Sequence, residues 1–265
     1  MLYYTGVVQK SRKPVAVKRP PNLSSKNIPP NERLILALDL PSSAQARDLV
    51  TRLDDTVMFY KLGLQLFMAD GYFELVQWLH DRGKQIFVDL KFFDVPETVK
   101  KAVHQLKDRH ATFVTVHGND EILKAAVSEK NGAKILAVTV LTSLDRADLR
   151  DLGFKCDVQA LVLSRARRAL ELNCDGVISS GLEAPLLRKH LGERFLIVTP
   201  GIRPVDNQEV KKRRSDDQKR TTDVEEAFRN GADYIVIGRP VLNAPDPLVA
   251  AQKIQQRIAT LFSSK

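Results

Sequence analysis

The sequence predicts an α/β fold: one (β/α)8 TIM barrel over residues 32–265, preceded by a basic, proline-rich, flexible extension over residues 1–31. Three observations carry this prediction. Short apolar runs rich in Val, Ile, Leu and Phe recur about eight times in roughly 230 residues, each followed by a stretch with helical spacing. The runs are continuous rather than alternating, as expected for parallel strands buried on both faces. The first run ends in Asp39-Leu40-Pro41-Ser42 rather than a Gly-rich dinucleotide turn, which disfavours the rival open doubly wound sheet.

The elements follow in order. Residues 34–38 form a strand ending at Asp39, and Pro41 and Ser42 open a helix to about Leu53. A strand over 57–60 ends at Lys61. One long helix is expected over 65–82, from Phe67, Phe73, Leu75, Val76 and Leu79 at helical spacing and Gly83 as its stop. The strand 85–88 runs into Asp89-Leu90-Lys91, and Pro96 starts a helix to about Lys107, with Glu97 favourable to its dipole. A strand over 113–116 ends at His117 and is followed by a helix over 121–128. The strand 135–140 ends in Leu141-Thr142-Ser143, and a long connection leads to a helix over 158–172. The strand 176–178, a short helix near Leu187, and the strand 195–198 with its Thr199-Pro200-Gly201 end come next. After a polar loop with Lys211-Lys212-Arg213-Arg214, a helix over 224–230 precedes the strand 234–237, which ends in Gly238-Arg239-Pro240. An amphipathic helix over 247–261 closes the chain.

The formal charge is +9, and residues 1–33 hold seven basic residues against Glu32 alone, so most of the excess belongs to the extension rather than the barrel. Its prolines and lack of periodicity predict flexibility. It lacks the apolar core of a secretory signal and the amphipathic, proline-poor character of a transit peptide. No apolar run is long enough to span a bilayer, so no membrane partner is expected. Cys156 and Cys174 have neither metal-type spacing nor a disulfide framework. They read as ordinary thiols in a reducing compartment, which places the chain in the cytoplasm.

In such barrels the chemistry sits at the C-terminal ends of the strands. Those ends collect Asp39, Lys61, Asp89, Lys91, His117, Thr142, Ser179, Arg203, Gly238 and Arg239, with Asp94 in the turn after the third strand. Charged groups are seldom buried unless paired, so acids and lysines converging on one mouth point to an active site over a scattered surface. Acids beside both lysines favour protonated amines, which makes Lys91 a proton donor rather than a Schiff-base nucleophile. A Mg²⁺ site would want carboxylates on adjacent strands where this chain offers Lys61, so no metal is expected. Gly201, Gly238 and Arg239 fit the phosphate site that barrels build after their last two strands. His117 fits a packed strand end as well as a functional role.

The stretch Asp89-Leu90-Lys91-Phe92-Phe93-Asp94-Val95-Pro96-Glu97-Thr98 closely resembles the signature of the orotidine 5′-phosphate decarboxylase family. Ala37-Leu38-Asp39, Lys61-Leu62-Gly63, 138–143, Thr199-Pro200-Gly201-Ile202-Arg203-Pro204 and Ile237-Gly238-Arg239-Pro240 match in the family's order, so the resemblance covers about residues 33–262. It implies cofactor-independent release of CO₂ from orotidine 5′-monophosphate to give UMP, the last step of de novo pyrimidine synthesis. It places Asp89 near the substrate carboxylate and makes Lys91 the group that stabilises and protonates C6. Lys61 and Asp39 hold the ribose and orient the charges, and Thr142 faces the pyrimidine. Arg239, the Gly238 amide and Gln218 hold the phosphate, with Arg203 assisting. It also implies a homodimer in which Asp94 and Thr98 reach the neighbouring subunit's site. The basic loop over 205–217 is longer than the family's usual one, which leaves Gln208 as an alternative to Gln218. His117-Gly118-Asn119 departs from the small-residue turn of bacterial relatives.

Two other functions compete. A Mg²⁺-dependent sugar-phosphate decarboxylase or aldolase of the same barrel superfamily would carry a carboxylate where this chain has Lys61. A nucleic-acid-binding protein using the basic extension and 211–214 would lose binding steeply with salt, and it leaves the Asp-Lys-Asp cluster unexplained.

Overall fold

The apolar runs pair in chain order, each with the next and the last with the first. In the computed structural model, which describes residues 20–204 and 220–263, eight parallel strands close a barrel. They are β1 (Leu34–Ala37), β2 (Phe59–Gly63), β3 (Gln85–Phe92), β4 (Phe113–Val116), β5 (Lys134–Val138), β6 (Gly176–Ile178), β7 (Leu196–Thr199) and β8 (Tyr234–Ile237). β1 pairs with both β2 and β8, so no strand edge is left open. This is the expected (β/α)8 architecture.

Capping residues set most helix starts. Ser42 caps α1 (Ser43–Leu53) by accepting from Gln45 N. The single helix expected over 65–82 is two, α2 (Leu64–Phe67) and α3 (Tyr72–His80), because Gly71 lies between them in a left-handed conformation (φ 77°) that no helix interior adopts. Pro96 opens α4 (Pro96–His104), and Asn119 caps α5 (Asp120–Ser128). The connection after β5 holds a helix the sequence reading passed over, α6 (Arg146–Asp151), started by an Asp145/Asp148 capping box. Then come α7 (Val158–Glu171), α8 (Ala184–Leu191), α9 (Val224–Arg229), the short α10 (Arg239–Leu242) and α11 (Pro247–Ser263).

The strands alternate between two cores. Leu34, Leu36, Tyr60, Leu62, Ile86 and Val88 face outward into the layer shared with the helices. Ile35, Phe59, Phe87, Phe113, Leu136, Leu196, Val198 and Tyr234 fill the barrel interior. The rings of Phe59, Phe113 and Tyr234 meet at centroid distances of 4.9 to 5.9 Å, and Phe87 adds an edge contact to Phe113. This aromatic layer is the floor of the site. Two residues further along β2, β3 and β4, the same inward face carries Lys61, Asp89 and Thr115.

At the opposite end, Asp233 just before β8 is fully buried and is satisfied from four directions. Ser24 Oγ donates to it at 2.5 Å, Lys26 Nζ at 3.0 Å, Arg188 Nη2 at 2.7 Å and Ile197 N at 2.9 Å. Arg33 ties in the same segment, donating to the Asp233 and Lys26 carbonyls and stacking on Phe262. Of the extension expected to be flexible, residues 1–19 lie outside the described residues. Residues 20–31 pack against the barrel, because a buried carboxylate needs the partners that Ser24 and Lys26 bring. No helix among the described residues is long and apolar enough to cross a membrane.

Candidate active site

Four side chains at the C-terminal ends of β1 to β3 form one line of alternating charge. Lys61 Nζ lies 3.3 Å from Asp39 Oδ1 and 3.3 Å from Asp89 Oδ2, and Lys91 Nζ lies 2.9 Å from Asp89 Oδ1. The middle of the line is dry and its ends are open: the side chains of Lys61 and Asp89 are 12% and 11% exposed, those of Asp39 and Lys91 50% and 36%. Thr115 Oγ1 donates to Asp89 Oδ1 at 2.9 Å and accepts from the Lys91 backbone N–H at 2.9 Å. One hydroxyl thus fixes both the acid and the main chain of the amine.

Local backbone explains how Lys91 arrives there. The pairing of β3 with β4 slips between Val88 and Phe92, and Lys91 has φ 49°, a left-handed conformation costly for a side-chain-bearing residue. Strand alternation alone, the basis of the sequence prediction, would put Lys91 on the Asp89 face; the irregularity and the Thr115 bond set its actual position. Gly238 leaves room for Asp39, since a Cβ there would stand 3.3 Å from Asp39 Oδ2 and 3.4 Å from the Ala37 Cβ.

The electrostatics follow from this packing. Burial disfavours charge on Lys61, but Asp89 and Asp39 outweigh it and hold its pKa above the ordinary lysine value. Burial likewise opposes the Asp89 carboxylate, yet Lys61, Lys91 and the bonds from Lys91 and Thr115 bring its pKa below the ordinary value. The buried half of the line is therefore locked as an ion pair. At its rim, burial, then Arg165 and Lys91, push His117 below its usual 6.5, and its ring packs edge-on to Phe93 at 5.1 Å.

The other expected site residues are placed as follows. Thr142 is buried just beyond β5, and Arg203 is half-buried beyond β7 with Nη1 donating to Ile202 O at 2.9 Å. Gly238 and the exposed Arg239 stand at the start of α10. Asp94 and Thr98 are exposed, just before and within the first turn of α4; Asp94 Oδ1 accepts from Val95 N at 2.6 Å. Gln218, Gln208 and the loop over 205–217 lie outside the described residues.

Two features of the mouth escaped the sequence reading. Thr115 had a usable signal, its position two residues after an inward phenylalanine. The buried pair of Arg220 and Glu183 had none: Arg220 Nη1 donates to Glu183 Oε1 at 2.7 Å, while Nη2 donates to the carbonyls of Val140 at 3.0 Å and Leu141 at 2.9 Å. β5 ends at Val138 rather than at the expected 140, which frees those two carbonyls for Arg220.

An alternating line of two carboxylates and two amines on a dry aromatic floor can hold a polar substrate at its open ends. It can place a negative group against a substrate anion and offer an ammonium proton beside it. Comparison with known proteins agrees with this chemistry. The family described as orotidine 5′-phosphate decarboxylase / HUMPS matches residues 32–254. The orotidine 5′-phosphate decarboxylase of Methylococcus capsulatus is 60% identical over 242 residues, covering 91% of this chain and 98% of that protein. That of Nitrobacter winogradskyi is 47% identical over 230 residues, covering 86% and 93%. A crystal structure of orotidine 5′-phosphate decarboxylase from Lactobacillus acidophilus superimposes with a TM-score of 0.73 at 33% identity, covering 86% of this chain and 99% of that one. The chain belongs to the orotidine 5′-phosphate decarboxylase family.

Proposed function

We propose that this chain removes CO₂ from orotidine 5′-monophosphate to give UMP, as a cofactor-independent carboxy-lyase acting at the last step of UMP biosynthesis. The observation that carries the assignment is the Asp39–Lys61–Asp89–Lys91 line. Asp89, held ionised by its two lysines, faces the substrate carboxylate, and the repulsion between the two anions is relieved as CO₂ departs. The C6–carboxyl bond breaks with its electron pair left on C6. The Lys91 ammonium stabilises that pair and passes its Nζ proton to C6, then regains a proton from solvent. Because the charges are fixed before substrate arrives, little reorganisation is needed as charge moves. Lys61 and Asp39 hold the ribose, and Thr142 faces the pyrimidine. Arg239, the Gly238 amide and Gln218 hold the phosphate, with Arg203 nearby. Phosphate binding far from C6 supplies energy that serves the transition state.

The working unit is a homodimer, with Asp94 and Thr98 entering the partner's site. Exposed apolar side chains just after β2 and β3 support this: Leu64, Phe67 and Met68 follow β2, and Phe93 and Val95 flank Asp94 in the chain, all open to solvent. The reaction is placed in the cytoplasm, in keeping with two free cysteines.

The test follows loss of the orotate chromophore on adding orotidine 5′-monophosphate with EDTA present, for the intact protein and for Lys91→Ala. The expected result is turnover by the intact protein and a rate lower by about 10³-fold or more in the variant. A folded intact protein that leaves the substrate untouched would sink the assignment, and Mg²⁺-dependent turnover of sugar phosphates would replace it.

A further inference from the structure

We infer that Arg220 and Glu183 are a positioning pair for the decarboxylation, holding the Leu141–Thr142 peptide in place at the mouth of the barrel. The inference rests on the decarboxylase reading and adds to it two residues outside the charge line. A guanidinium and a carboxylate are rarely buried without a purpose that repays their desolvation. Arg220 is 9% exposed and Glu183 3%. Arg220 Nη1 donates to Glu183 Oε1 at 2.7 Å, while Nη2 alone forks onto two successive main-chain carbonyls, Val140 and Leu141.

That fork constrains geometry as well as energy. The Leu141 carbonyl and the Thr142 N–H belong to one planar trans peptide, so fixing the carbonyl fixes the direction of the amide and the position of the Thr142 Cα from which its side chain starts. The neighbouring Val140 carbonyl fixes the preceding plane. These residues have already left β5, so the strand ladder does not hold them. Arg220 is itself anchored by its surroundings. Ser180 Oγ donates to its carbonyl at 3.5 Å, and two residues on, Thr222 exchanges backbone bonds with the segment after β7, donating to Gly201 O at 3.3 Å and accepting from Arg203 N at 2.9 Å. Glu183 is fixed at the start of α8, where its N–H donates to Ser180 O. Arg220 therefore joins the loops after β5, β6 and β7 at one point. A planar, five-donor side chain suits this role, and a lysine cannot reach a carboxylate and two carbonyls along the same fixed directions.

The experiment measures kcat and KM for orotidine 5′-monophosphate in full-length wild type, Arg220→Met, Arg220→Lys and Glu183→Gln, with each active fraction set by titration with a tight-binding UMP analogue and folding followed by thermal melting. A purely structural role would lower the amount of active protein and leave KM unchanged. A positioning role predicts a fall of about 10²-fold in kcat/KM for Arg220→Met with KM raised at least about tenfold. Arg220→Lys should recover part of the loss, and Glu183→Gln should raise KM in the same direction by a smaller factor. If Arg220→Met does not fold, the remaining two variants decide. Unchanged KM in every folded variant, with losses accounted for by active fraction, would overturn the inference. Absence of turnover in the wild type would instead overturn the decarboxylase reading, which the same assay reports separately.

Discussion

Lys61 Nζ stands 3.3 Å from carboxylate oxygens on two different strand ends, Asp39 on one side and Asp89 on the other. It links the open acid to the buried acid. Replacing it with Met keeps the length and removes the charge, leaving Asp89 with Lys91 and Thr115. The barrel should still fold, because Asp89 retains two partners. Two carboxylates, however, would then share the one remaining ammonium of the line, and the alternation of charge that holds Lys91 and Asp89 in place would be broken. Steady-state kinetics on Lys61→Met should show kcat/KM lower by about 10³-fold, the scale seen when a preorganised charge is removed. A loss below about tenfold would mean that Lys61 only packs.

Thr115 donates to Asp89 and accepts from the Lys91 main chain, both at 2.9 Å. Thr115→Val preserves shape and removes both bonds, leaving the part-buried Lys91 N–H without this acceptor and Asp89 Oδ1 with only Lys91 Nζ. Unfolding in urea should report a loss of about 1–3 kcal/mol. Since Lys91 is held at φ 49°, loss of this bond should also let the strained turn relax and lower kcat by about tenfold or more, whereas a purely structural hydroxyl would leave kcat untouched.

Much of this was legible in the sequence for physical reasons. Continuous Val/Ile/Leu runs mark strands buried on two faces, and each of the eight appears as a barrel strand within a few residues of its expected place. The charge line was legible because charged residues at the ends of apolar runs have few reasons to be there. What escaped depended on long-range packing or on backbone irregularity. The break at Gly71 was hidden by helical spacing that continues across it. The slip at Lys91 comes from pairing with β4, which no local pattern encodes. Arg220 meets Glu183 across 37 positions of sequence, and Ser24 meets Asp233 across 209; neither pair has a spacing that announces it. The packed segment 20–31 was masked by its prolines and charge, although its partners lie on the barrel.

The pKa directions set a pH window. Asp89 is ionised more readily in the folded chain than in the unfolded one. Its charge therefore contributes stability that is fully present above the unfolded carboxylate value near 4 and is lost as pH falls through the lower folded value. Lys61 is shifted upward, so its contribution is fully present below the ordinary lysine value and is lost only as pH rises through the higher folded one. Both are constant between about pH 5 and 9. Melting temperatures of wild type and Asp89→Asn, measured against pH, should differ by a constant amount across that range. Below about pH 4 the difference should move against the wild type. A difference that changes near neutrality would show that Asp89 titrates there, contrary to this packing.

Asp233 sits at the far end of the barrel from the charge line, with Arg188, Lys26, Ser24 and the Ile197 amide on one carboxylate. Asp233→Asn keeps the size but leaves Arg188 buried against a neutral group and weakens the hold on segment 20–31. Breaking a buried pair of this kind costs about 3–5 kcal/mol. Urea unfolding should show that loss, and limited proteolysis should cut the 20–31 segment sooner. KM for orotidine 5′-monophosphate in the folded fraction should stay within about twofold of wild type. A changed KM with unchanged stability would point to coupling between the two ends instead.

The proposed sharing of Asp94 across a dimer can be tested by combining two inactive proteins. Lys91→Ala removes the proton donor from its own barrel, and Asp94→Ala removes the acid that its protomer lends to the partner. In a hybrid dimer one site carries both defects and the other carries neither. Random exchange makes about half of the dimers hybrid, each with one intact site of two, so a mixture refolded together should recover about a quarter of wild-type activity. Each variant alone, or the two mixed without subunit exchange, should stay inactive. Recovery would require that Lys91 and Asp94 of one working site come from different chains. If refolded mixtures stay as inactive as their components while size measurements confirm exchange, Asp94 serves its own barrel and the shared-site arrangement is wrong.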